Sequence, residues 1–417
     1  MTQSPVISGI LTAPGRWASV GVVLNGERAG WGDCLISPGD APFEAPPPSP
    51  EDIRAALSES VAPALRGRRL TAFGDVAATL DALTRTTRRP RPAAPAAEGR
   101  RISRRDLFTG RVGAEPPAQW VTEERPLHPG LRYGVSQALL AAAASLRGIT
   151  PAEVIAAEYG LPLPDAPLPI LAAYHGEWPD VAAVMPVGEI VAWGYTISAA
   201  NFKAELGDEC RLLQRNVRRL KEQLTRLTPA GYAPAIHLNL RGGLGRLYRN
   251  DPGKMLGALF GLERAAAPYR LQIADPVVTA TLKSQIDLFN QLKEYARLRK
   301  LTLQLAAESG VTSADTAQAV LEAGAAELIR LNPPWMGSLH RAIEGVLACR
   351  ERGGTVLLGS DRAFGGRAIR TACQVALATR PAAVIVEAAA GGDGEGVAAA
   401  QREMRRALAW IGARQEG

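Results

Sequence analysis

The apolar and polar positions of this 417-residue chain change rhythm about two fifths of the way along. The first part is mixed. Residues 16–37, RWASVGVVLNGERAGWGDCLIS, hold two β-rich runs around Asn25-Gly26, and that dipeptide between such runs predicts a two-residue hairpin turn. Residues 38–50 are proline-rich and break the pattern, and helices are predicted near 51–66 and 73–86. The stretch 85–106, RTTRRPRPAAPAAEGRRISRRD, has no period and is expected to be an exposed loop. Residues 131–147, LRYGVSQALLAAAASLR, predict a small-residue helix that packs closely.

From residue 168 short apolar runs alternate with helical segments such as 207–227 and 312–323. The runs are 168–174, 190–197, 234–240, 269–275, 301–308, 327–332, 354–360 and 382–388. Eight strands spread over roughly 250 residues predict an α/β fold of the (β/α)8, TIM-like barrel kind. A doubly wound open sheet is the alternative. Barrels of this kind carry their chemistry at the C-terminal strand ends. The residues there are Asn239, Asp275, Glu308, Asn332, Asp361 and Glu387, with His175 and Val187 at the ends of the earliest strands.

Composition narrows the function classes. A formal charge of +7 permits an acidic partner without requiring one. The arginines of 85–106 have no aromatic residues among them, which argues against nucleic acid as a partner. Cys34, Cys210, Cys349 and Cys373 are far apart with no CxxC, so free thiols in a reducing cytoplasm are expected. The N-terminus lacks a basic region followed by an apolar run, and no uncharged apolar run approaches the roughly 18 residues of a membrane span. The chain is therefore expected to be cytoplasmic. His128, His175, His237 and His340 are scattered, so no zinc cluster is visible. His175, at a strand mouth, is the histidine expected to face the pocket. His237 is expected to pack away from Asn239, between barrel and helices, and His128 and His340 to be structural. GGLG at 242–245 lacks a phosphate-loop lysine and reads as a turn, and GGDGEG at 391–396 reads as a loose loop.

Several segments, in order, resemble the methylaspartate ammonia-lyase family, a branch of the enolase superfamily. They are NGERAGWGDC, SRRDLF, LRYGVSQALLAAAA, PAIHLNLRGGLG and the C-terminal VALATRPAAVIVEAAAGGDGEGVAAAQREMRRALA. The resemblance implies an N-terminal α+β capping domain, 1–165, carrying the basic loop 85–106, on a barrel, 166–417. It also implies a reaction in which a base removes a proton beside a carboxylate and ammonia leaves. Three carboxylates hold magnesium there, and a lysine and a histidine move protons on opposite faces.

Carried over position by position, hardly any of these groups survives. The first metal carboxylate falls on Asn239, the second on Ala274 with Asp275 beside it, and the third on Ala307 with Glu308 beside it. The lysine falls on Asn332, the glutamine before it on Arg330, the histidine on Val187, and a cysteine near Asp361. A magnesium site of Asn239, Asp275 and Glu308 needs both carboxylates to turn inward at their strand ends. Otherwise they cap helices or pair with arginine. With an amide among the three, magnesium is expected to bind weakly or not at all.

Two functional expectations follow. The first is a homologue that has lost lyase activity and serves as a partner subunit or ligand-binding protein. A small acidic ligand would then meet His175, Arg330 and Asn332, and a homo-oligomer or acidic protein partner would use the basic loop. The second is a carbon–nitrogen lyase-like enzyme with reassigned residues, His175, Asp275, Glu308 and Asp361, acting on a small amino or carboxylic acid.

Overall fold

The computed structural model describes residues 5–13, 18–26, 28–34, 49–90, 120–184, 188–360, 365–387 and 395–415. Strands β1 (Ile7–Ala13), β2 (Ala18–Leu24) and β3 (Arg28–Cys34) form an antiparallel sheet in that order. The hairpin between β2 and β3 turns at Asn25 and Gly26, with φ of 50° and 79°. Positive φ at both central positions is what this dipeptide tolerates. The helix Pro129–Arg147 lies across β3. Its small residues and the strand's glycines permit that approach: a Cβ at Gly30 or Gly32 would collide with the backbone of Ala138 or Gly134.

The expected loop at 85–106 needs correction. Residues 84–90 form strand β4 (Thr84–Pro90), which pairs antiparallel with β5 (Trp120–Pro126). The helix before it is shorter than expected, Phe73–Asp81. Arg85 lies 3.3 Å from Glu59 and 4.0 Å from Asp52, so part of the basic run is locally compensated. Residues 91–106 lie outside the described residues.

All eight runs predicted in the second part are strands. They are β6 (Ile170–His175), β7 (Ile190–Thr196), β8 (Ala235–Asn239), β9 (Leu271–Ala274), β10 (Gln304–Ala307), β11 (Leu328–Leu331), β12 (Thr355–Ser360) and β13 (Ala383–Glu387). They close into a parallel barrel, with β13 beside β6 and β9 beside β10. Among the described residues no single helix is long and apolar enough to cross a membrane. The four cysteines are free and buried.

Asp81, at the end of the cap helix Phe73–Asp81, joins the cap to the barrel. It accepts hydrogen bonds from Arg132 at 2.9 Å, from the Ser338 backbone at 3.1 Å and from the Ser338 hydroxyl. Ser338 caps the helix Leu339–Glu351, which follows β11.

His128 caps the helix Pro129–Arg147, its Nδ1 accepting from Gly130 N at 3.1 Å. Burial, with the Arg132 charge adding to it, pushes this imidazole from 6.5 down to about 4. The unfolded chain therefore takes up the proton at higher pH than the folded chain, and acidification through that window favours unfolding. We expect urea midpoints to fall between about pH 6.5 and about pH 4 more steeply for the wild type than for His128→Asn, which keeps a cap acceptor without a titrating ring. Equal slopes would show that the ring does not titrate there.

Candidate functional site

Alternation along each strand decides what faces the barrel interior. Ala274, Ala306 and Leu328 cluster inside. Leu171, Ala173, Ala192, Leu357, Ala383 and Ile385 form a second interior cluster. Leu238, Ile273, Leu305, Ala307 and Ile329 belong instead to the large core shared with the surrounding helices. Counting in twos from the interior positions brings His175, Asn239, Ala274, Glu308, Asn332 and Glu387 to the mouth, with His237, Gln272 and Arg330 one layer below.

Two expectations change. Ala307 does not stand at the third ligand position, because its methyl points outward into the helix layer. Glu308, two residues beyond Ala306, is the inward residue. His237 is also not turned away from Asn239: two residues apart, the pair share one face.

At the mouth, Glu308 collects donors. Its Oε2 accepts from Asn239 Nδ2 at 2.8 Å and lies 3.6 Å from Arg330 Nε, and its Oε1 accepts from Asn332 Nδ2 at 3.4 Å. Asp275 does not join them. At a φ of 44° the chain turns there, and its carboxylate accepts from Glu308 N at 3.0 Å, Ser309 N at 2.9 Å and Ser309 Oγ at 2.6 Å. Burial raises its pKa, and the Ser309 hydroxyl and the two backbone donors oppose that shift. Asp275 thus holds the turn after β10. Of the expected metal set, Asn239 and Glu308 converge and Asp275 does not.

Beneath the mouth runs a directed chain. Arg330, fully buried, donates to His237 Nε2 at 2.8 Å. An arginine only donates, so this nitrogen accepts and the ring proton sits on Nδ1. Nδ1 donates to Gln272 Oε1 at 3.0 Å, and Gln272 Nε2 donates to Gln304 Oε1 at 3.2 Å. Strand parity marks these inward positions in the sequence, since His237 stands two before Asn239 and Arg330 two before Asn332. Gln272 and Gln304 carried no motif and were missed.

Asn332 ends β11 because two prolines follow. Pro333 opens a short helix, Pro333–Met336, at a position needing no N–H donor. The Asn332 side chain is 7% exposed and its Oδ1 has no hydrogen-bond partner among the described residues. All six lysines, Lys203, Lys221, Lys254, Lys283, Lys293 and Lys300, lie outside the barrel strands. His175 ends β6, exposed, with Nδ1 3.1 Å from Thr196 O. His340 lies elsewhere, 2.5 Å from the Tyr159 hydroxyl. Val187, Asp361 and residues 391–394 lie outside the described residues.

A closed parallel barrel with an α+β cap and a polar mouth at its C-terminal strand ends is the architecture of the enolase superfamily. The sequence matches the methylaspartate ammonia-lyase C-terminus over residues 163–413 and the methylaspartate ammonia-lyase N-terminus over 99–160, and the chain belongs to that family. Methylaspartate ammonia-lyase from Haloarcula marismortui is 29% identical over 368 residues, 88% of this chain and 78% of that one. The structure of the Citrobacter amalonaticus enzyme containing (2S,3S)-3-methylaspartic acid superposes with a TM-score of 0.73 at 24% identity, over 94% of this chain and 87% of that one. β-Methylaspartase from Clostridium tetanomorphum, as its magnesium complex, gives 0.70 at 21% identity, over 97% and 91%.

The described residues at this mouth do not fit magnesium. The ion asks for several anionic oxygens. Here Glu308 is held by two amides and a guanidinium, and its register neighbours are the amide of Asn239 and the methyl of Ala274, while Glu387, the other inward carboxylate among the described residues, stands across the barrel on β13. Among the described residues no three His, Cys, Asp or Glu group together to hold a metal.

Proposed function

We propose that this chain is a methylaspartate ammonia-lyase homologue without ammonia-lyase activity, and that its barrel mouth binds a small polar ligand. The observation that carries this reading is the environment of Glu308, tied to Asn239, Asn332 and Arg330. A carboxylate so engaged is a poor base and a poor metal ligand. The amide of Asn332 cannot take a proton at neutral pH, and no lysine replaces it from a barrel strand. The lone Oδ1 of Asn332 supports a ligand that offers an N–H or O–H donor, such as an acid carrying an amino or hydroxyl group.

The test is ammonia release from 3-methylaspartate with magnesium present. We expect no release above the protein-free background. Magnesium-dependent turnover would sink the reading. The alternative, a lyase with reassigned residues, rests on the exposed His175 at the mouth. It predicts turnover with some other small amino acid that is lost in His175→Gln.

A further inference from the structure

A cavity lined by none of the barrel-mouth residues lies between cap and barrel. It has a volume of about 330 Å³ and sits where β3, the helix Pro129–Arg147 and the helix Gly365–Thr379 meet. That size is at the lower end of small-molecule sites, which run from about 300 to about 1,000 Å³. Trp31, Leu140 and Pro151 give it an apolar side.

Its polar side is unbalanced. Arg367 lines the cavity but is bonded to Asp33, and Glu403 accepts from Gln374 Nε2 at 2.8 Å. These carboxylates are therefore engaged. Arg370 is exposed and has no ion pair among the described residues. Gln137, 2% exposed, keeps its Oε1 on Asp33 N at 3.4 Å, while its Nε2 faces the buried Tyr133 hydroxyl without reaching full hydrogen-bond geometry. The surplus is one cation, with one buried donor only weakly served by the Tyr133 hydroxyl. A buried donor without an acceptor is costly, so a ligand that supplies one is favoured. A guanidinium without a partner selects a carboxylate, which it grips with two parallel bonds.

We propose that this cavity binds a small organic anion, a carboxylate on an apolar body, with Arg370 meeting the carboxylate and Trp31 and Leu140 covering the body. The proposal is independent of the barrel mouth. The probe is benzoate, titrated by calorimetry into the full chain, with inorganic phosphate as a second arm. We expect benzoate to bind, Arg370→Gln to weaken it by about tenfold or more, and Ala141→Phe, which fills the cavity, to abolish it. Arg370 is exposed and Ala141 partly so, so both variants are expected to melt near the wild type. Phosphate should give no heat, because it lacks an apolar body. Absence of benzoate binding to the wild type, unchanged binding in either variant, or phosphate binding equal to that of benzoate would each overturn the proposal.

Discussion

Replacing Arg330 by methionine is expected to destabilise the barrel by about 3–5 kcal/mol, the cost of removing one partner from a buried ion pair. Arg330 is fully buried, and its guanidinium donates to His237 Nε2 and lies 3.6 Å from the Glu308 carboxylate. Methionine keeps the apolar stem of the side chain and removes the guanidinium. The loss is therefore the charge and its hydrogen bond, with the small space the guanidinium filled. Glu308, with a side chain 14% exposed, loses the guanidinium 3.6 Å away, and His237 loses its Arg330 donor. Adding Glu308→Gln should return a large part of the stability, because the double variant holds no uncompensated charge. Urea midpoints for the wild type, the two single variants and the double variant form the cycle, with a coupling of about 1–3 kcal/mol expected. A cost below about 1 kcal/mol for Arg330→Met would show that water reaching Glu308 already supplies the compensation.

The barrel was legible in the sequence because each of its strands is a short apolar run between helical segments. The cap sheet was less so. β4 and β5 read TRTTRRP and WVTEERP, too charged to announce a strand. Their pairing sets Arg85 opposite Arg125 and Thr86 opposite Glu124, across segments far apart in the chain. Local pattern cannot report such a partner. The site divides in the same way. That Asn332 replaces a base is visible in one residue, since two prolines fix the end of the strand. Which of Ala307 and Glu308 faces inward depends on register, and register follows from the pairing of Ala306 with Ala274 and Leu328 on the neighbouring strands. Asp275 escaped because its positive φ rotates the chain just past β9. An aspartate tolerates that conformation, but nothing in the surrounding sequence demands it.

Three substitutions at the mouth should create a magnesium site that the described residues of the wild type do not form: Asn239→Asp, Ala274→Glu and Arg330→Gln together. Asn239 and Ala274 are register partners on β8 and β9, both turned inward. Glu308 already reaches Asn239 at 2.8 Å. The triple variant therefore brings three carboxylates from adjacent strands to one point. It also removes the guanidinium 3.6 Å from Glu308, which would compete with a cation. Carboxylates packed this closely repel one another, so the variant should be less stable than the wild type without metal and should recover when the ion binds. Calorimetry should give a magnesium dissociation constant on the order of 10⁻³ M or tighter, with no heat from the wild type at the same concentrations. The melting temperature of the variant alone should rise with magnesium. If Ala307 rather than Glu308 were the inward position, the third carboxylate would be missing and neither signal would appear. Binding by the variant, with none by the wild type, would thus establish that register and trace the difference to the side chains at 239, 274 and 330.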